Sequence, residues 1–78
     1  MTEEQRALIV RNPSVCHGQA VVNGTRIMVS VVLDALAAGH SEAQIIAEYP
    51  SLDVAGVRAA AAYGAELARD EYPAVSAG

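Results

Sequence analysis

The chain has 78 residues, is 53% hydrophobic, and sets nine acids against five arginines for a net charge of −4. That length holds one domain. The acid excess argues against a strong autonomous nucleic-acid binder, because duplex affinity rests largely on neutralised phosphates.

The elements follow in chain order. Residues 1–7 are polar and read as loose. Ala7 to Val10, "ALIV", is a short β-prone run, ended by the Asn12-Pro13 turn. The stretch "QAVVNGTRI" then places Asn23-Gly24 between apolar runs. That pair predicts a type I′ hairpin turn, since both residues tolerate positive φ. Residues 7–28 are thus expected to form short strands or a hairpin.

From Val29 the period changes. Val29, Val32, Leu33 and Leu36 share one helical face, and Gly39 is a natural terminator, which predicts a first helix over 29–38. "SEAQ", Ser41 to Gln44, has the spacing of a capping box and opens a second helix over 42–49. Pro50 stops it, because the residue before a proline is pushed out of the α region.

Asp53 is the N-cap expected for a third helix over 54–70. Its inward face reads as Val57, Ala60, Ala61, Gly64, Leu67 and Ala68, with Arg58, Ala62, Glu66 and Arg69 opposite. Gly56, Ala60, Gly64 and Ala68 recur every four residues. A helix interior loses roughly 1 kcal/mol per glycine relative to alanine, so this stripe points to close packing. Residues 71–78 are expected to be a flexible tail. The organisation is a single domain over 1–78, with a three-helix unit over 29–70. A core without Phe or Trp is thin, and a thin core in a short chain often continues across a subunit boundary, so a homodimer is expected.

The candidate chemistry is sparse. Cys16, His17 and His40 could ligate a metal, but neighbours on a strand point to opposite faces, and the paired spacings of a structural zinc site are absent. Cys16 with a histidine could make a nucleophilic dyad, but no orienting carboxylate stands at a recognisable spacing. Glu42, Glu48, Asp53 and Glu66 fall at helix ends or solvent faces. Neither a metal, a cofactor nor enzymatic activity is expected.

The second and third helices share a tight turn, as in a helix-turn-helix. The third would then present Arg58, Ala62, Glu66 and Arg69 to the major groove, two arginines diluted by Ala and Glu. Arg26, after the Asn-Gly turn, is expected to form an ion pair that fixes strand against helix. Cys16 is the single cysteine. It allows no intrachain disulfide, and the acidic opening "MTEEQR" does not read as a secretory leader. No apolar run approaches the roughly 18 residues of a membrane span. A cytoplasmic location away from membranes is expected.

The stretch from His17 to Leu67 resembles the bacterial family called domain of unknown function 433. The matching residues are Gly18, then Gly24, Thr25, Arg26 and Ile27, then Ala38-Gly39, then Tyr49, Pro50 and Leu52, and finally Ala62-Tyr63. Ala20 and Met28 stand where family members often carry proline. A swapped-hairpin antitoxin of the AbrB type fits less well, because three helices follow the hairpin.

The resemblance implies a mainly α fold: a homeodomain-like three-helix unit with a short N-terminal β segment, dimeric. It also implies a non-enzymatic antitoxin of a type II toxin–antitoxin pair, partnered by a small PIN-like ribonuclease toxin. Operator DNA is a further partner it suggests, with Arg26, Arg58 and Arg69 as candidate DNA or partner contacts. A stand-alone dimeric interaction module is the alternative.

Overall fold

Each helix starts and stops where a side chain, a carbonyl or a glycine can take up its free backbone groups. The computed structural model describes residues 1–71, in the order α1 (Glu3–Ala7), β1 (Ile9–Val10), β2 (Val21–Val22), α2 (Val29–Ala37), α3 (Glu42–Glu48) and α4 (Val54–Glu71). The protein is mainly helical, with a two-stranded sheet near the N-terminus. The tail expected over 71–78 begins at the last residue of α4 and otherwise lies outside the described residues.

The N-terminal segment is the first correction. Residues 3–7, read as loose, form α1 behind a complete capping box. The Gln5 N–H donates to the Thr2 hydroxyl at 3.1 Å, and the Thr2 N–H donates to the Gln5 side chain at 2.9 Å. "TEEQ" repeats the spacing of "SEAQ", and it caps its helix for the same reason.

β1 and β2 pair antiparallel, with Ile9 opposite Val22 and Val10 opposite Val21. They are joined by residues 11–20, not by the Asn-Gly turn. That turn instead folds β2 back on the entry to α2, through a bridge between Val21 and Met28. It is not type I′. Gly24 has φ +83°, whereas the positive-φ residues other than glycine are Cys16 and His17. Asn23 therefore keeps negative φ. With the Thr25 N–H donating to the Val22 carbonyl at 3.0 Å, the geometry is that of a type II turn.

α2 runs over 29–37 against the expected 29–38. Its entry residue Met28 offers no side-chain cap. The Ala20 carbonyl accepts from the Val29 N–H at 2.9 Å instead, which ties the β segment to the helix start. At the other end Gly39 takes φ +91°. The N–H of His40 reaches the carbonyl of Ala35, and that of Gly39 reaches Leu36. This is a complete Schellman motif.

Ser41 and Gln44 form the expected capping box of α3. Tyr49 leaves helical geometry before Pro50, at φ −123° and ψ 80°. Asp53 accepts from the Gly56 N–H at 2.8 Å and opens α4 as its N-cap.

Ala20, Val22, Val29, Val32, Ile45, Leu52, Val57 and Ala60 make the core, with no buried polar side chain among the described residues. α4 is its common wall and touches α1, α2, α3, β1 and β2. The inward face expected for this helix holds over its first half and fails over its second. Val57 and Ala60 are buried, and Gly56 and Ala59 join them, but Leu67 is 45% exposed and Ala68 is exposed. The other elements cover α4 only as far as Gly64. No described helix is long and apolar enough to cross a membrane.

Candidate functional site

The segment around Arg26 works as a joint. The Thr25 hydroxyl donates to the Val22 carbonyl at 2.8 Å and accepts from the Ile27 N–H at 3.0 Å. One side chain therefore closes the turn from both sides. Gly24, Thr25 and Ile27 thereby dock the β segment onto α2, and Ile27 packs against the core.

Arg26 departs from expectation. Its side chain is exposed, and no ion pair among the described residues includes it. Only its carbonyl is engaged, accepting from the Cys16 thiol at 3.6 Å. Cys16 and His17 lie with Gly18 in a left-handed stretch, at φ 50°, 57° and 80°. The Cys16 thiol thus pins a strained turn to the Arg26 backbone.

The remaining signature residues are also structural. Gly18 closes the left-handed turn. The Tyr49 carbonyl accepts from the Leu52 N–H at 2.9 Å while its ring packs on the core. Pro50 forces the exit from α3. Among the described residues, no three His, Cys, Asp or Glu side chains gather as a metal site would require.

The outward face of α4 is more occupied than its sequence suggests. Arg58 donates twice to Glu42 on α3, from Nε at 2.8 Å and from Nη2 at 3.3 Å. These hydrogen bonds, opposed by desolvation and aided by the Arg58 charge, hold the Glu42 carboxyl below its ordinary value. Reciprocally, they raise Arg58.

Glu66 accepts from the Met1 ammonium at 3.4 Å and from Arg6 at 3.3 Å, so α1 sits against this side of α4. Desolvation pushes the Glu66 carboxyl up. The hydrogen bond from Met1, the charges of Arg6 and the amine, and the Arg6 hydrogen bond outweigh it and leave it lowered. Of the four residues expected to face outward, Arg58 is thus paired, Glu66 is bonded to α1 and Ala62 is half-buried. Arg69 is exposed in the last turn.

The second half of α4 carries features that its periodicity did not reveal. The Arg11 guanidinium donates from Nε to the Tyr63 hydroxyl at 3.1 Å, tying the exit of β1 to α4. Beside this pair lies a cleft of about 130 Å³, floored by Ala20, Val29 and Leu33 and flanked by Tyr63 and Leu67. Leu33 fills the space over Gly64. This surface is apolar at its centre, and its one charged lining residue is Arg11.

Known proteins share this arrangement. The family model described as "Protein of unknown function (DUF433)" matches residues 9–64. The uncharacterized protein y4eO of Sinorhizobium fredii (strain NBRC 101917 / NGR234) is 38% identical over 58 residues, covering 74% of this chain and 26% of that protein. The chain therefore spans about a quarter of that relative's length. A crystal structure of a DUF433 member from Anabaena variabilis ATCC 29413 superposes with a TM-score of 0.67 at 26% identity, covering 94% of this chain and 78% of the other.

Proposed function

We propose a function from one premise: the chain belongs to the DUF433 family. It is a non-enzymatic, dimeric protein-binding module that acts as the antitoxin of a type II toxin–antitoxin pair. It neutralises a small PIN-like ribonuclease by direct contact. DNA is at most a weak secondary ligand.

The observation that supports protein binding over DNA binding is the state of the outward α4 face. A recognition helix needs free side chains that reach base edges. Here Arg58 is held by Glu42, and Glu66 is held by α1. The antitoxin role itself is drawn from the family resemblance of the "GTRI" and "YPSL" segments, and the acidic net charge of −4 fits a partner other than nucleic acid.

Co-expression with the product of the adjacent reading frame tests it. The expected result is a stable complex in which the partner's ribonuclease activity is suppressed. A neighbour that neither co-purifies nor loses activity overturns the antitoxin role. In that outcome the second reading stands, a stand-alone dimeric interaction module. The exposure of Leu67 beside Tyr63 favours it specifically, because a free apolar surface serves self-association as readily as capture of a second protein.

A further inference from the structure

We propose that the cleft beside α4 is the homodimer contact, and that Leu67 of each copy enters the cleft of the other. This rests on the dimeric part of the reading above and names its face.

The first argument is shape. Leu67 projects from α4 with 45% of its surface exposed, one of two large hydrophobic side chains so exposed among the described residues. Next to it lies the cleft of about 130 Å³, floored by Ala20, Val29 and Leu33. An apolar cavity of roughly 150 Å³ accommodates a benzene ring, so this one takes a single aliphatic side chain. Projection and recess belong to one patch. A two-fold axis through that patch satisfies both at once, because an isologous contact uses the same surface on both partners.

The second argument is charge. Two copies of a chain at −4 repel each other. The repulsion is least where acids are absent, and the single charged residue lining this cleft is Arg11, held at the edge by the Tyr63 hydroxyl. By contrast, the groove between α1 and the start of α4 includes Glu4, and the recess around Met1 includes Glu66.

The third is the core. It is built from Val, Ala, Ile and Leu, with the second half of α4 uncovered beyond Gly64. A second copy covers what the chain itself lacks the residues to cover.

Sedimentation equilibrium of the full chain across the micromolar range tests the proposal. The parent should show twice the chain mass, and Leu67→Asp should shift it to monomer with an unchanged helical spectrum. Ser30→Glu provides a second variant. Ser30 lines the cleft in the first turn of α2, where an acid favours the helix. It should weaken association by about tenfold or more while the fold persists. A parent that is monomeric throughout overturns both the dimer and its face. A dimer that survives both variants overturns the face and leaves the dimer standing.

Discussion

Leu33 on α2 sits over Gly64 on α4 so closely that a Cβ at Gly64 would lie 2.9 Å from its Cδ1 and 3.0 Å from its Cδ2. The missing side chain is what lets the two helices approach. The obstructing atoms are the tip of a flexible side chain, so the size of the substituent decides the outcome. Gly64→Leu should cost about 1–3 kcal/mol through overpacking. Gly64→Ala should stay within about 1 kcal/mol of the parent, since gained helix propensity offsets a small shift of Leu33. Denaturant melts of both, repeated in a Leu33→Ala background, check the pair. The leucine penalty should shrink there.

The N-cap of α4 gives a second expectation. Asp53→Ala should lower stability by about 0.5–2 kcal/mol, and Asp53→Asn should largely preserve it, because the Gly56 N–H needs an acceptor and not a charge. The thermal midpoints of the two variants separate these roles.

His17 should be improvable. It holds φ 57° without a hydrogen bond from its exposed side chain among the described residues. A left-handed conformation costs a residue with a Cβ roughly 1–2 kcal/mol, while glycine loses roughly 0.5–1 kcal/mol of extra entropy on folding. His17→Gly should therefore raise stability by up to about 1 kcal/mol. A lowered midpoint would mean that the imidazole contributes to the fold.

Acid should weaken the fold through two carboxylates. Glu42 and Glu66 both have folded values below the ordinary 4.5. For a lowered carboxyl, the stabilisation is present above the unfolded value and is lost as pH falls through the folded one. Stability should hold constant above the carboxylate range and decline as pH drops below about 4.5. The Glu42→Gln/Glu66→Gln double variant should be less stable at neutral pH and show a shallower decline. Denaturant midpoints measured against pH report both.

DNA binding by the isolated chain should be weak. If a dimer directs Arg58 and Arg69 of each copy to phosphates, it makes about four contacts, and the salt slope is near −4, against about −10 for a strong repressor. Glu42→Ala, which releases Arg58, should raise the affinity. Anisotropy titrations at several salt concentrations check both statements. A steep slope and nanomolar binding by the parent would place Arg26 and Arg11 in a duplex interface.

Much of the architecture was legible because it is local. Ser41 and Gln44, Asp53, Gly39 and Pro50 act within a few residues of themselves, and each marks the helix boundary it predicts. α1 carried the same kind of mark in Thr2 and Gln5. It was masked by the polarity of residues 1–7, a helix that buries no side chain having no apolar period to read. The Asn-Gly turn was located correctly but mistyped, because its flanks pair with β1 and the α2 entry rather than with each other. The candidate surface was least legible. Periodicity places Leu67 on the same face as Val57 and Ala60, yet whether a face is covered depends on where partner elements end. The Arg11–Tyr63 and Arg6–Glu66 contacts join residues 52 and 60 positions apart, and no local pattern encodes them.

The central position of α4 bears on how the protein comes apart. Every other helix and both strands rest on it, so none can detach without exposing part of its surface, and it cannot unwind while they remain in place. Unfolding should therefore be all-or-none for the α2–α4 unit, with only the shallowly held α1 free to open beforehand. In hydrogen exchange, the amides around Val57 and Ala60 should then exchange only with global opening, and those of α1 by local fraying.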